Sequence, residues 1–188
     1  MTKIIFVLAM VFSLALSAQQ PTHQSFDKLL YASEKGTLPY RFLKPENPQE
    51  KTAFPLVIFL HGAGERGNDN AVQIKHIAPL FLDADNRRQY PCYVLAPQCP
   101  EGIMWAAHDK DGSRLVMRQN PTPPMAMLIE LIRKVEKEFP IDPTRIYVTG
   151  LSMGGYGAWD LLARFPNKFA AAVPICGGGD PRTAATIS

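Results

Sequence analysis

Ile146-Tyr147-Val148-Thr149-Gly150-Leu151-Ser152-Met153-Gly154-Gly155-Tyr156-Gly157-Ala158 is the stretch on which the fold turns. Its first four residues are β-branched or aromatic, a strand pattern. Its last residues lead into a helical run that reaches Ala163. Between them, glycines stand two positions either side of Ser152. They let the backbone turn sharply from strand into helix without a Cβ clash. Such a turn projects the Ser152 hydroxyl from the sheet edge, and the helix start behind it favours developing negative charge. Ser152 is therefore the candidate nucleophile. The five-residue Gly-x-Ser-x-Gly pattern is weak alone; the strand before it and the small residues after it supply the context it requires.

Upstream, Phe54 to Leu60 is a continuous apolar run, as in a strand buried on both faces. It leads into Leu60-His61-Gly62-Ala63-Gly64-Glu65-Arg66-Gly67. A glycine-rich loop at a strand end can aim backbone N–H groups at a tetrahedral intermediate. Ala63 and Met153, the residue after the nucleophile, are the expected oxyanion donors. No Lys-Ser/Thr follows as a phosphate-binding loop requires, and the dinucleotide glycine pattern is absent, so no cofactor is expected. Glu65 and Arg66 either pin this loop or form an exposed ion pair.

Further strands are expected at Leu29–Ala32, Tyr40–Leu43, Tyr93–Ala96 and Ala171–Cys176, the first two joined as a hairpin through Ser33–Gly36. Met125, Leu128, Ile129, Ile132, Val135 and Phe139 recur at helical spacing after Pro123-Pro124. Strand–helix alternation predicts an α/β domain with a mostly parallel sheet and helices on both faces. Trp105 lies on a loop after the Tyr93 strand, on the side where open α/β sheets form their sites. It either lines the substrate pocket or anchors the loop to the core. His76 is expected in a helix and His108 in a loop near Trp105.

Three segments, FLHGAGERGNDN (59–70), YVLAPQCPEGIMW (93–105) and IDPTRIYVTGLSMGGYGAWDLLARFPNKFAAAVPICGGGDP (141–181), resemble the secreted esterase and peptidase branch of the α/β-hydrolases. That branch includes phospholipase/carboxylesterase-like, polyhydroxybutyrate-depolymerase-like and prolyl-oligopeptidase-like proteins. The resemblance covers residues 37–181 and is specific for fold and nucleophile, much less so for substrate. It implies hydrolysis of a small or polymeric carboxylic ester through an acyl-enzyme on Ser152. A peptidase would use the same parts, and a catalytically dead relative that binds its ligand is the reading from another class. The resemblance also implies that His61 holds the oxyanion loop.

In this fold the triad runs in the order Ser, then Asp or Glu, then His. The histidines here are His23, His61, His76 and His108, and the carboxylates after Ser152 are Asp160 and Asp180. Asp160 is expected to point away from the site, and Asp180 precedes the place where the family's acid lies. Acid and base are therefore expected beyond Ser188, with the sheet truncated after about its sixth strand and the chain inactive alone.

Over the 188 residues, hydrophobic side chains make up 46% and charged ones 20%, an ordinary globular balance. The net charge of +3 and the lack of a basic stripe argue against a nucleic-acid partner. Lys3, the apolar run Ile4–Leu16 and small Ser17-Ala18 read as a signal peptide over residues 1–18. That run falls short of the roughly 20 residues a membrane span needs. The domain then occupies 19–188, secreted or periplasmic. Cys92 and Cys99 flank an extended strand, roughly 20 Å apart when a disulfide needs about 5.5 Å, so no bridge is expected. No His or Cys pair stands at metal-ligand spacing.

Overall fold

The computed structural model describes residues 25–46 and 52–187. The expected signal peptide and His23 lie outside them. The chain enters through an antiparallel hairpin, β1 (Asp27–Ser33) and β2 (Gly36–Leu43), closed by Glu34 and Lys35. Then come β3 (Phe54–Leu60) and β4 (Tyr93–Pro97), separated by two single-turn 3-10 helices and the short helices α1 (Ala78–Leu82) and α2 (Ala84–Gln89). A small ribbon, β5 (His108–Asp111) and β6 (Arg114–Met117), precedes helix α3 (Pro123–Glu138). Finally β7 (Ile141–Leu151), α4 (Met153–Arg164) and β8 (Ala171–Ile175) follow in sequence.

The main sheet has six strands in the order β1-β2-β4-β3-β7-β8. β2 pairs antiparallel to β4, and β4, β3, β7 and β8 are mutually parallel. The sheet is thus the mostly parallel one expected. β7 is longer than its apolar run Ile146–Thr149 because Phe54 pairs with Ile141 before the register shifts to Leu56–Ile146. Asp142 holds the intervening turn, accepting from the Thr144 amide at 2.9 Å and from Arg145 Nε at 2.6 Å.

Period-two burial divides the sheet. Leu56, Ile58, Leu60, Ile146 and Val148 meet α3 and α4 in one core. Six residues of α3 are buried there, Leu128, Leu131 and Val135 among them. Each large apolar side chain so buried contributes about 1.5–3 kcal/mol. Thr122 caps α3 by accepting from the Met125 amide at 3.3 Å. Pro123 and Pro124 fill the first turn, where a missing N–H costs nothing. On the other face Phe59, Val94 and Ala96 pack against Ile74, Ile77, Ala78 and Leu82 from the segment before and within α1.

Three expectations change. The β5–β6 ribbon is an element the apolar pattern does not announce, and it makes His108 the first residue of a strand. His76 lies in a turn, since the 3-10 helix ends at Ile74 and α1 starts only at Ala78, with Pro79 in its first turn. Glu65 does not pair with Arg66; its partner is Lys75. All three cysteines are free thiols, and burial pushes Cys92 up to about 11 and Cys99 up to about 12.

Candidate active site

β7 delivers Ser152 at its carboxyl end, and α4 begins at the next residue. Ser152 is exposed, with φ 52° and ψ −111°. A non-glycine residue in so sparse a region costs about 1–3 kcal/mol and persists only where its surroundings impose it. They do so here. The Ser152 amide donates to Ile175 O at 2.8 Å, and Ser152 O accepts from the Tyr156 amide at 3.1 Å. A Cβ on Gly154 would collide with the Leu60 carbonyl and lie 2.9 Å from His61 O. The end of β3 therefore presses directly on the turn.

That contact brings the glycine-rich loop after β3 to Ser152. The position a Gly62 Cβ would occupy is 3.9 Å from Ser152 Cβ and 3.4 Å from Leu151 O. Ala63 opens a 3-10 turn and Met153 opens α4, so neither amide has an acceptor within its own helix.

His61 is buried and fully engaged. The Cys99 amide donates to its Nε2 at 2.9 Å, which leaves the proton on Nδ1, 2.7 Å from Gly62 O. Burial lowers its pKa, against a smaller opposing pull from the Gly62 carbonyl and Glu65. With both nitrogens used, it is a loop brace and has no free lone pair to act as a base. Gly67 N donates to Cys99 O at 3.0 Å, and Trp105 Nε1 donates to His61 O at 3.2 Å. Trp105 has 0% of its surface exposed. The pocket-wall expectation for Trp105 therefore gives way to the anchor: its indole fills the space beside Gly157, where a Cβ would lie 2.7 Å from Trp105 Cβ.

Several loop-fixing residues escaped the sequence reading. Gln98 accepts from the Asn70 amide at 2.7 Å and donates to Asp69 at 2.8 Å and Glu65 O at 3.2 Å. Asn70, at φ 50°, donates from its side chain to Leu29 O and Tyr40 O. Their signal was present in the polar run Gly67-Asn68-Asp69-Asn70 and in Gln98, both inside the segments that carry the family resemblance. Glu65 is buried, with Oε1 2.7 Å from Lys75 Nζ and 3.4 Å from His76 Nε2. Burial alone would raise its pKa, but Lys75, His76 and His61 together bring it below the usual value.

The two later carboxylates are also committed. Asp160 is buried and takes Arg164 Nε at 2.7 Å and Nη2 at 3.1 Å. Asp180 accepts from the Met117 amide at 3.0 Å and pairs with Arg182, which hold it well below the usual carboxylate range. Those bonds clamp the β5–β6 ribbon to the loop after β8. His108 packs its ring against Tyr156 at 6.1 Å, and its Nε2 is buried with no partner among the described residues.

A cleft of about 630 Å³ is lined by Phe54, Phe81, Tyr90 and Arg145. It lies at the amino ends of β3 and β7 and contains none of the site residues, whereas open α/β sheets bind ligands at their carboxyl ends. No group of three His, Cys, Asp or Glu side chains among the described residues could hold a metal. No helix among them is long and apolar enough to cross a membrane.

Comparison with known proteins agrees with this geometry. The prolyl oligopeptidase family matches residues 113–188. Over 49 residues the chain is 41% identical to poly(3-hydroxyalkanoate) depolymerase C of Paucimonas lemoignei, covering 26% of this chain and 12% of that protein. Over 48 residues it is 38% identical to a bifunctional acetylxylan esterase/xylanase of Neocallimastix patriciarum, covering 26% and 7%. The crystal structure of a thermostable esterase superposes with a TM-score of 0.79 at 40% identity, over 88% of this chain and 44% of that one. The chain thus spans less than half the length of each of these three relatives. Sheet order, strained serine turn and these likenesses together make it a member, over part of their length, of the esterase- and peptidase-like superfamily of α/β-hydrolases.

Proposed function

We propose that the full-length protein hydrolyses carboxylic esters through an acyl-enzyme on Ser152. The observation that carries this reading is the exposed Ser152 at φ 52°, with the Gly62 backbone beside it. Ser152 Oγ attacks the ester carbonyl, and the Met153 and Ala63 amides bind the resulting oxyanion. Water then releases the acid and regenerates the hydroxyl. A base must take the Ser152 proton and return it to the alcohol. His61 is spent on the loop, His76 stands against Glu65, and Asp160 and Asp180 are each bound to arginine. Base and acid are accordingly assigned to residues outside the described chain. Residues 1–18 act as a signal peptide ahead of a secreted or periplasmic domain that starts at residue 19. Polymeric esters fit as substrates, given the likeness to a polyhydroxyalkanoate depolymerase and an acetylxylan esterase.

The test is covalent labelling of the full-length protein by a fluorophosphonate, alongside turnover of a nitrophenyl ester. Both are expected, and both should vanish in Ser152→Ala. Residues 1–188 alone should turn the ester over negligibly, because losing the base costs about 10⁶ in kcat in a comparable triad. Full turnover by Ser152→Ala would overturn the serine assignment. The match of residues 113–188 to the prolyl oligopeptidase family favours one second reading, a peptidase using the same serine. Faster cleavage of a prolyl anilide than of the matching ester would select it.

A further inference from the structure

We infer that Lys75 is a positioning residue for catalysis, acting through its charge: it neutralises the Glu65 carboxylate beneath the oxyanion loop. This rests on the assignment of Ser152 and the Ala63 and Met153 amides proposed above. The geometry is specific. Glu65 Oε2 and Ser152 Cβ lie 3.1 Å and 3.9 Å from one point, the place a Gly62 Cβ would occupy. A buried anion thus stands at most about 7 Å from Ser152 Cβ, on the side of the Gly62 backbone. Like charges at such range in a poorly solvated site repel strongly. The other oxygen, Oε1, meets Lys75 Nζ at 2.7 Å, with His76 Nε2 at 3.4 Å. Glu65 is held in place from its own backbone as well, its N–H on Gly62 O at 3.3 Å and its carbonyl on Gln98 Nε2. The Glu65 side chain is 6% exposed where it stands, so its charge gains little from water there. Lys75, half exposed at the end of the 3-10 turn Val72–Ile74, meets it from outside the loop.

Two roles for Lys75 make opposite predictions. A mere tether would be lost equally whether or not Glu65 keeps its charge. A charge compensator matters only while the anion is there. The experiment is a cycle in the full-length protein: Lys75→Met, Glu65→Gln and the double variant, with thermal unfolding recorded for each. The readouts are kcat and KM for a nitrophenyl ester and the rate of fluorophosphonate labelling, which also builds charge on an oxygen in the hole. Lys75→Met should lower kcat and the labelling rate by about tenfold or more, with KM little changed. Adding Glu65→Gln should recover most of that loss. A double variant as slow as Lys75→Met, or a Lys75→Met rate equal to wild type, overturns the inference. Should Lys75→Met fail to fold, Lys75→Gln removes the charge at the same half-exposed position and is read the same way. Ser152→Ala runs in parallel. If it retains activity, the serine reading fails; if it is dead while Lys75→Met is fast, only the Lys75 inference fails.

Discussion

The two faces of the main sheet are finished to different degrees. Beneath α3 and α4, Leu56, Ile58 and Leu60 of β3 and Ile146 and Val148 of β7 are all buried in one core. On the opposite face, among the described residues, the segment that ends in α1 covers the β2-β4-β3 side. At β8 the outward residues Val173 and Ile175 stand 59% and 44% exposed. The strained turn at Ser152 sits on the finished side, where Leu60 presses on Gly150 and Gly154. The site's geometry is therefore fixed by this core together with the bond from the Ser152 amide to Ile175 O.

Removing mass from the finished side should cost most. Trp105→Ala deletes a fully buried indole and its bond to His61 O, so urea unfolding should show a loss of about 3–5 kcal/mol. A loss below about 1 kcal/mol would mean that the loop is not anchored there. A change of pH probes the same side more gently. Burial lowers the folded-state pKa of His61, and of His108 in the ribbon. The unfolded chain therefore takes up these protons first, and the stability held above about pH 6.5 declines as pH falls below it. Urea midpoints measured from pH 7.5 downward should fall in this window, with a shallower slope in His61→Gln. An unchanged slope would break the assignment to His61. The smallest effect belongs to the open face. Val173→Ser should shift stability by no more than about 0.5 kcal/mol in these residues, as at an exposed surface position. A larger loss would show that this face is packed after all.

Much of this contrast was legible in the sequence, for definite reasons. Apolar runs such as Phe54–Leu60 announce strands buried on both faces, and Gly-Leu-Ser-Met-Gly between strand and helix announces the turn. The β5–β6 ribbon went unread because His-Asp-Lys-Asp offers no apolar alternation, although Asp111-Gly112 at its tip is a hairpin signal, with Gly112 at φ 60°. The turn at His76 was hidden because Val72, Ile74 and Ile77 mimic a helical stripe that Pro79 restarts. Trp105 could not be settled because a tryptophan suits a pocket wall and a core anchor equally. The partner of Glu65 stands ten positions away across an irregular segment, where no periodicity brings residues together. Gly62, by contrast, was singled out with its loop, and the structure adds only how close its backbone runs to Ser152.

The bond from the Ser152 amide to Ile175 O has a further consequence. Ile175 ends the strand whose Val173 and Ile175 side chains are exposed among the described residues, so Ser152 is stitched by one link to that strand. That amide is a built-in gauge. Its hydrogen-exchange rate reports how firmly β8 is seated against the turn at Ser152.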